Sequence, residues 1–121
     1  MVIVDTCIWI SHLKMGEPHL QELLLEGKVL MHPFVIGELA CGGIKNRKEV
    51  LSLLSELPSA KIIDHAEYLF FVEQNKLPGI GLGFVDIHLL SSARLESAFL
   101  WTCDKLLFEA AKKLHVNYKH N

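Results

Sequence analysis

The chain has 121 residues, 12 Lys and Arg against 14 Asp and Glu, and an apolar half. That length and composition predict one globular domain over residues 1–121, neither disordered nor in need of a disulfide or structural metal to hold its core. The net charge of −2 at pH 7 argues against holding nucleic acid through bulk positive charge, so any such contact has to be local.

In chain order the pattern gives a strand at Val2–Val4, helices at Thr6–Lys14 and Pro18–Glu26, a strand at Val29–Met31, and helices at Pro33–Cys41 and Arg47–Glu56. A strand at Lys61–Ile63 follows, then helices at Ala66–Asn75 and Gly83–Ser97, a strand at Phe99–Trp101, a helix at Lys105–His115 and a strand at Val116–Tyr118. Pro18 and Pro33 suit first helical positions, and Gly16 and Gly42-Gly43 suit helix ends. Strands alternating with helices long enough for crossovers predict an α/β fold with a mostly parallel sheet covered on both faces. The glycines of Leu77–Gly83 mark a turn-rich loop; no strand precedes them, so they are not a dinucleotide fingerprint.

The start Met1-Val-Ile-Val-Asp5 has no basic leader, and a carboxylate ends its apolar run, which predicts a cytoplasmic chain. No segment is long enough to span a bilayer. Cys7, Cys41 and Cys103 are odd in number and far apart, and read as small buried thiols in a reducing compartment. The seven His show no zinc-ligand spacing.

Four carboxylates stand in awkward places. At 100° per residue, Asp86 falls inside the apolar arc of Leu82, Val85, Leu89, Leu90 and Ala93, so it faces the protein and needs a cation, a metal or a wet cleft. A salt bridge to Arg or Lys is the structural alternative. Glu38, the only charge in its helix, shares a face with Phe34 and Cys41 and is expected to point inward. Asp5 and Asp104 follow strands and precede helices. Asp is a preferred helix N-cap, but the carboxyl ends of parallel strands are also where ligands bind in open α/β sheets. Four oxygen donors of this kind suit Mg²⁺ or Mn²⁺, and the matching chemistry is phosphodiester hydrolysis by an activated water.

The residues that carry this pattern are Val4-Asp-Thr6 followed by Trp9-Ile10, His32-Pro-Phe-Val-Ile-Gly-Glu-Leu-Ala-Cys-Gly42, Gly79-Ile-Gly-Leu-Gly-Phe-Val-Asp-Ile-His-Leu-Leu90, and Leu100-Trp-Thr-Cys-Asp-Lys-Leu-Leu107. Over the whole chain they resemble the PIN-domain ribonucleases, specifically the VapC toxins of toxin–antitoxin pairs. The resemblance implies a three-layer α/β/α sandwich with a short parallel sheet. It also implies a Mg²⁺ or Mn²⁺ site made by Asp5, Glu38, Asp86 and Asp104, with Thr6 and Thr102 orienting those acids. Cys7 departs from the Ser of many relatives, and Cys103 from a common basic residue. By the same resemblance the enzyme cuts structured RNA (transfer or ribosomal), leaves 5′-phosphate and 3′-hydroxyl ends, forms a homodimer and binds a small antitoxin over its cleft.

Two bound divalent cations would bring the formal charge from −2 to +2, so metal loading itself favours RNA. Lys14, Lys45, Arg47, Lys48 and Lys105 are the expected phosphate contacts, Lys105 first because it adjoins Asp104. His88 lies about 200° round its helix from Asp86 and reads as a satisfied structural histidine. Trp9 and Trp101 read as core. A receiver-like phosphorelay domain is disfavoured because only Asp5 follows the first strand and Asp64 is the sole later candidate. A catalytically silent binding module of the same fold is the other alternative.

Overall fold

The computed structural model describes residues 1–120. Its elements are β1 (Val2–Val4), α1 (Thr6–Met15), α2 (Pro18–Leu25), β2 (Val29–Leu30), α3 (Pro33–Ala40), α4 (Arg47–Leu54), α5 (His65–Gln74), α6 (Phe84–Leu95), β3 (Phe99–Trp101) and α7 (Lys105–Lys113). The three strands form a parallel sheet in the order β2-β1-β3. Ile3 at its centre pairs with Leu30 on one side and Leu100 on the other. All three residues of β1 are buried, as an all-parallel sheet covered on both faces requires. The fold is an α/β sandwich.

Two predicted strands shrink to single bridges. Residues 61–63 form no strand; the pairing instead falls upstream at Ser59, opposite Met31, with Met31 N–H donating to Pro58 O and Ala60 N–H to Met31 O. Ile62 is exposed, and Lys61 N–H is taken by the Glu96 carboxylate at 2.8 Å, so this apolar run leads into α5 rather than joining the sheet. Near the other edge, residues 116–118 contribute only a bridge between Leu100 and Asn117. Asp64 caps α5, accepting from Glu67 N–H while its own N–H donates to the Glu67 carboxylate. That is a capping box, and it removes the one later acid that a receiver-like domain needed.

α6 is buried more widely than a single apolar arc: Ile87 through Ala93 are all inaccessible. It packs against α5, β1 and β3, which explains why the arc was too narrow a description of it. Trp9 and Trp101 lie in the core as expected. His32, fully buried, caps α3 by accepting Phe34 N–H on Nδ1. The other ring nitrogen then carries the hydrogen and donates to Ser92 Oγ at 3.0 Å, and Ser92 Oγ donates to Lys61 O at 2.7 Å. This chain of bonds ties the end of β2 to α6 and to the segment before α5.

Candidate metal centre

β1 occupies the middle of the sheet, and the chain leaves it toward β2 on one side and returns through β3 on the other. The carboxyl ends of β1 and β3 therefore flank the place where connections diverge, the usual ligand crevice of such sheets. Asp5 stands there. Its N–H extends the ladder by donating to Trp101 O. Its carboxylate accepts from Thr6 N–H and from Thr102 Oγ1, both at 2.7 Å. Thr102 Oγ1 also accepts Asp104 N–H at 3.0 Å, so one hydroxyl links the acids that follow the two strands. Thr6 Oγ1 donates to Glu38 Oε1 at 2.5 Å, tying α1 to α3. Thr6 and Thr102 thus stand where orienting hydroxyls were expected.

Burial sorts the four acids. Asp5 is buried, Asp86 half-buried, and Glu38 and Asp104 exposed. The inward orientation expected of Glu38 does not hold: Cys41 on the same face is exposed and Phe34 only half-buried. Helical periodicity could not reveal this, because Glu38 is held by a hydroxyl from another element rather than by burial. Asp86 accepts Gly83 N–H on Oδ2 at 3.0 Å, and Asp104 accepts Leu107 N–H on Oδ1 at 2.9 Å, so each also caps its own helix. Among the described residues no three His, Cys, Asp or Glu side chains are gathered closely enough to chelate an ion.

The electrostatics nevertheless join three of them. Burial pushes the Asp5 carboxyl above its ordinary range, the Thr102 and Thr6 hydrogen bonds pull it back, and the charges of Asp86 and Glu38 push it up again. Among the described residues the ion pairs are His19–Glu22 and Lys28–Glu26, so no Lys or Arg neutralises this group. The salt-bridge alternative for Asp86 is thereby removed. Unneutralised oxygen donors around a buried carboxylate are the donor set that a hard divalent cation takes.

A cleft of about 700 Å³ opens beside Glu38, lined also by Lys14 and Lys45. Arg47 is exposed, and its Nε and Nη2 donate to Ala40 O at 3.0 and 2.8 Å, closing the turn from α3 to α4. Lys48 and Lys105 are exposed in the first turns of α4 and α7. His88 is buried among the rings of Phe34, Phe84 and Tyr68. The expectation that it is satisfied fails, since its buried Nδ1 has no hydrogen-bond partner among the described residues.

The reading of three unpaired buried thiols fails. Cys7 and Cys103 are joined as a disulfide, with Cα atoms 6.3 Å apart, and Cys41 is free and exposed. Residues 96 apart in sequence meet because β1 and β3 are parallel neighbours, and no cysteine spacing carries that information. The visible signal was that each cysteine lies within two residues of a strand-end acid.

A parallel α/β sandwich with acids beyond the carboxyl ends of its central strands defines the class, and the PIN domain profile matches residues 2–113. The chain belongs to the PIN-domain family. It is 46% identical over 117 residues to Ribonuclease VapC32 of Mycobacterium tuberculosis, in both the CDC 1551 / Oshkosh and H37Rv strains, covering 96% of this chain and 94% of that protein. The crystal structure of PAE2754 from Pyrobaculum aerophilum superposes with a TM-score of 0.61 at 15% identity, covering 93% of this chain and 85% of that one; this likeness supports the fold.

Proposed function

We propose that this protein is a VapC-type toxin, a Mg²⁺- or Mn²⁺-dependent endoribonuclease that hydrolyses phosphodiester bonds in structured RNA. The observation that carries the reading is Asp5: a buried carboxylate at the sheet's divergence point, opposed by Asp86 and Glu38 and neutralised by no Lys or Arg among the described residues. A close relative over nearly the whole chain bears the name ribonuclease. Asp5, Glu38, Asp86 and Asp104 are the residues that would hold the ion. When bound, it supplies positive charge to a phosphoryl group and makes a nucleophile of water at neutral pH.

The chain's own contribution is positioning. Thr102 and the Thr6 N–H fix both oxygens of Asp5, and the Thr6 hydroxyl aims Glu38. The same Thr102 oxygen sets the start of the segment that carries Asp104. Lys14 and Lys45, on the wall that Glu38 shares, receive phosphates on the approach, and Lys48 and Lys105 extend the contact. A transfer or ribosomal RNA is the substrate class, a small antitoxin the protein partner, a homodimer the assembly, and the cytoplasm the location. The 1–121 chain acts as one domain.

The deciding experiment incubates purified protein with total RNA and maps new 5′-phosphate ends, with and without Mn²⁺. Cleavage that requires metal and vanishes in Asp5→Asn supports the reading. RNA binding without cleavage would make the protein a silent module of the same fold.

A further inference from the structure

We propose that Cys7 and Cys103 are a redox modification site, whose oxidation by a peroxide restrains the segment that carries Asp104 and so weakens ion uptake at the candidate metal centre. The inference rests on the functional reading above for what is switched, but its geometry is independent of it. Cys7 is the second residue of α1, two after Asp5, and Cys103 lies between Thr102 and Asp104. The Cys7 sulphur sits 3.8 Å from Asp5 Oδ2 and 3.9 Å from Thr102 Oγ1, and Cys103 N–H donates to it at 3.2 Å. Their Cα separation of 6.3 Å lies within the range a disulfide spans.

Cys103 is exposed and Cys7 half-buried, which sets the order of events. The Cys103 thiol attacks the peroxide; an S–O bond forms, the O–O bond breaks, and water or an alcohol leaves, giving a sulfenic acid. The Cys7 thiol then attacks that sulphur, the S–S bond forms, the S–O bond breaks, and a water departs. Two electrons pass from the thiols to the peroxide. A thiol reductant reverses the change by exchange.

The bond pins the 102–104 segment to the first turn of α1. Asp104 follows Cys103 directly and Asp5 is the N-cap of α1, so the tether restrains the two acids relative to each other. Reduction removes that tether and lets the 102–104 segment adjust when an ion is taken up. Cys41, free and exposed, serves as an internal control.

The test uses the full chain, reduced with dithiothreitol and then treated with hydrogen peroxide. The oxidised protein is expected to lose two hydrogen atoms in intact mass and to yield one cross-linked peptide pair, 7 with 103. Amides of residues 102–107 should exchange more slowly. Mn²⁺ affinity by calorimetry and RNA cleavage should each fall roughly tenfold or more and return with dithiothreitol. Cys7→Ser and Cys103→Ser should be insensitive to peroxide, whereas Cys41→Ser should respond like the wild type. The proposal is overturned if no 7–103 link forms, or if it forms and leaves exchange, Mn²⁺ affinity and cleavage unchanged. Reduced protein that neither binds Mn²⁺ nor cuts RNA would instead sink the functional reading; mass and exchange, which need neither, tell the two failures apart.

Discussion

Asp5 and His32 occupy matching places. Each follows a strand of the parallel sheet, each caps the next helix with its side chain, and each is buried. What surrounds them differs. His32 is closed into a relay through Ser92 to Lys61 O, and burial together with the nearby His88 lowers its pKa to about 4, so it stays neutral and costs the fold little. Asp5 has hydrogen bonds of similar quality, yet other acids face it and no basic side chain among the described residues answers them. The same backbone position thus serves stability on β2 and leaves a charge unresolved on β1. Perturbed carboxylates in a crevice mark function.

The contrast is broken most severely at Asp5. Asp5→Asn should reduce RNA cleavage by at least about a hundredfold while the circular dichroism spectrum stays native, because the amide cannot supply both oxygens as a charged ligand. At the matching position, His32→Ala should cost roughly 2–4 kcal/mol in urea unfolding, since it strands Phe34 N–H and Ser92 and leaves a cavity. A sharper measure is the pH dependence of the fold. His32 binds a proton in the unfolded chain near its ordinary pKa but resists it when folded, so stability should decline as pH falls from about 6.5 to about 4 and level off below. The loss is at most about 3 kcal/mol, and His32→Gln should flatten the slope.

Smaller effects separate positioning from ligation. Thr102→Val removes the hydroxyl that donates to Asp5 and accepts from Asp104 N–H; Mn²⁺ affinity measured by calorimetry should weaken roughly 10–100-fold. The Asp5 carboxyl should also move further up, because a hydrogen bond that favours its charged form is gone. Smallest is Asp86→Asn without metal. Relief of the repulsion on Asp5 should raise the melting temperature by about a degree or two, and Mg²⁺ should add less than it does to the wild type. A strong destabilisation of the metal-free protein would make Asp86 a structural residue.

Much of this was legible in the sequence because it is local. β1 and β3 are continuous apolar triplets, and the acids beyond them interrupt strongly periodic surroundings. Residues 61–63 looked equally strand-like, but the neighbouring backbone had already paired at Ser59, and register between distant segments is not written in either one alone. Glu38 was singled out by an inward orientation that did not survive: its helix face is exposed, and a hydroxyl from α1 holds it. The disulfide was missed because adjacency of β1 and β3, not cysteine spacing, creates it.

The order of the strands also governs when the protein becomes complete. The central strand leaves the ribosome before both of its neighbours in the sheet, and the hydroxyl that steadies Asp5 is supplied 97 residues later. Contacts of such long range form late, after most of the loop entropy has been overcome. A cell translating this chain therefore holds an unfinished cutting edge until β3 and Thr102 have emerged, which leaves a partner already present time to meet the protein as it folds.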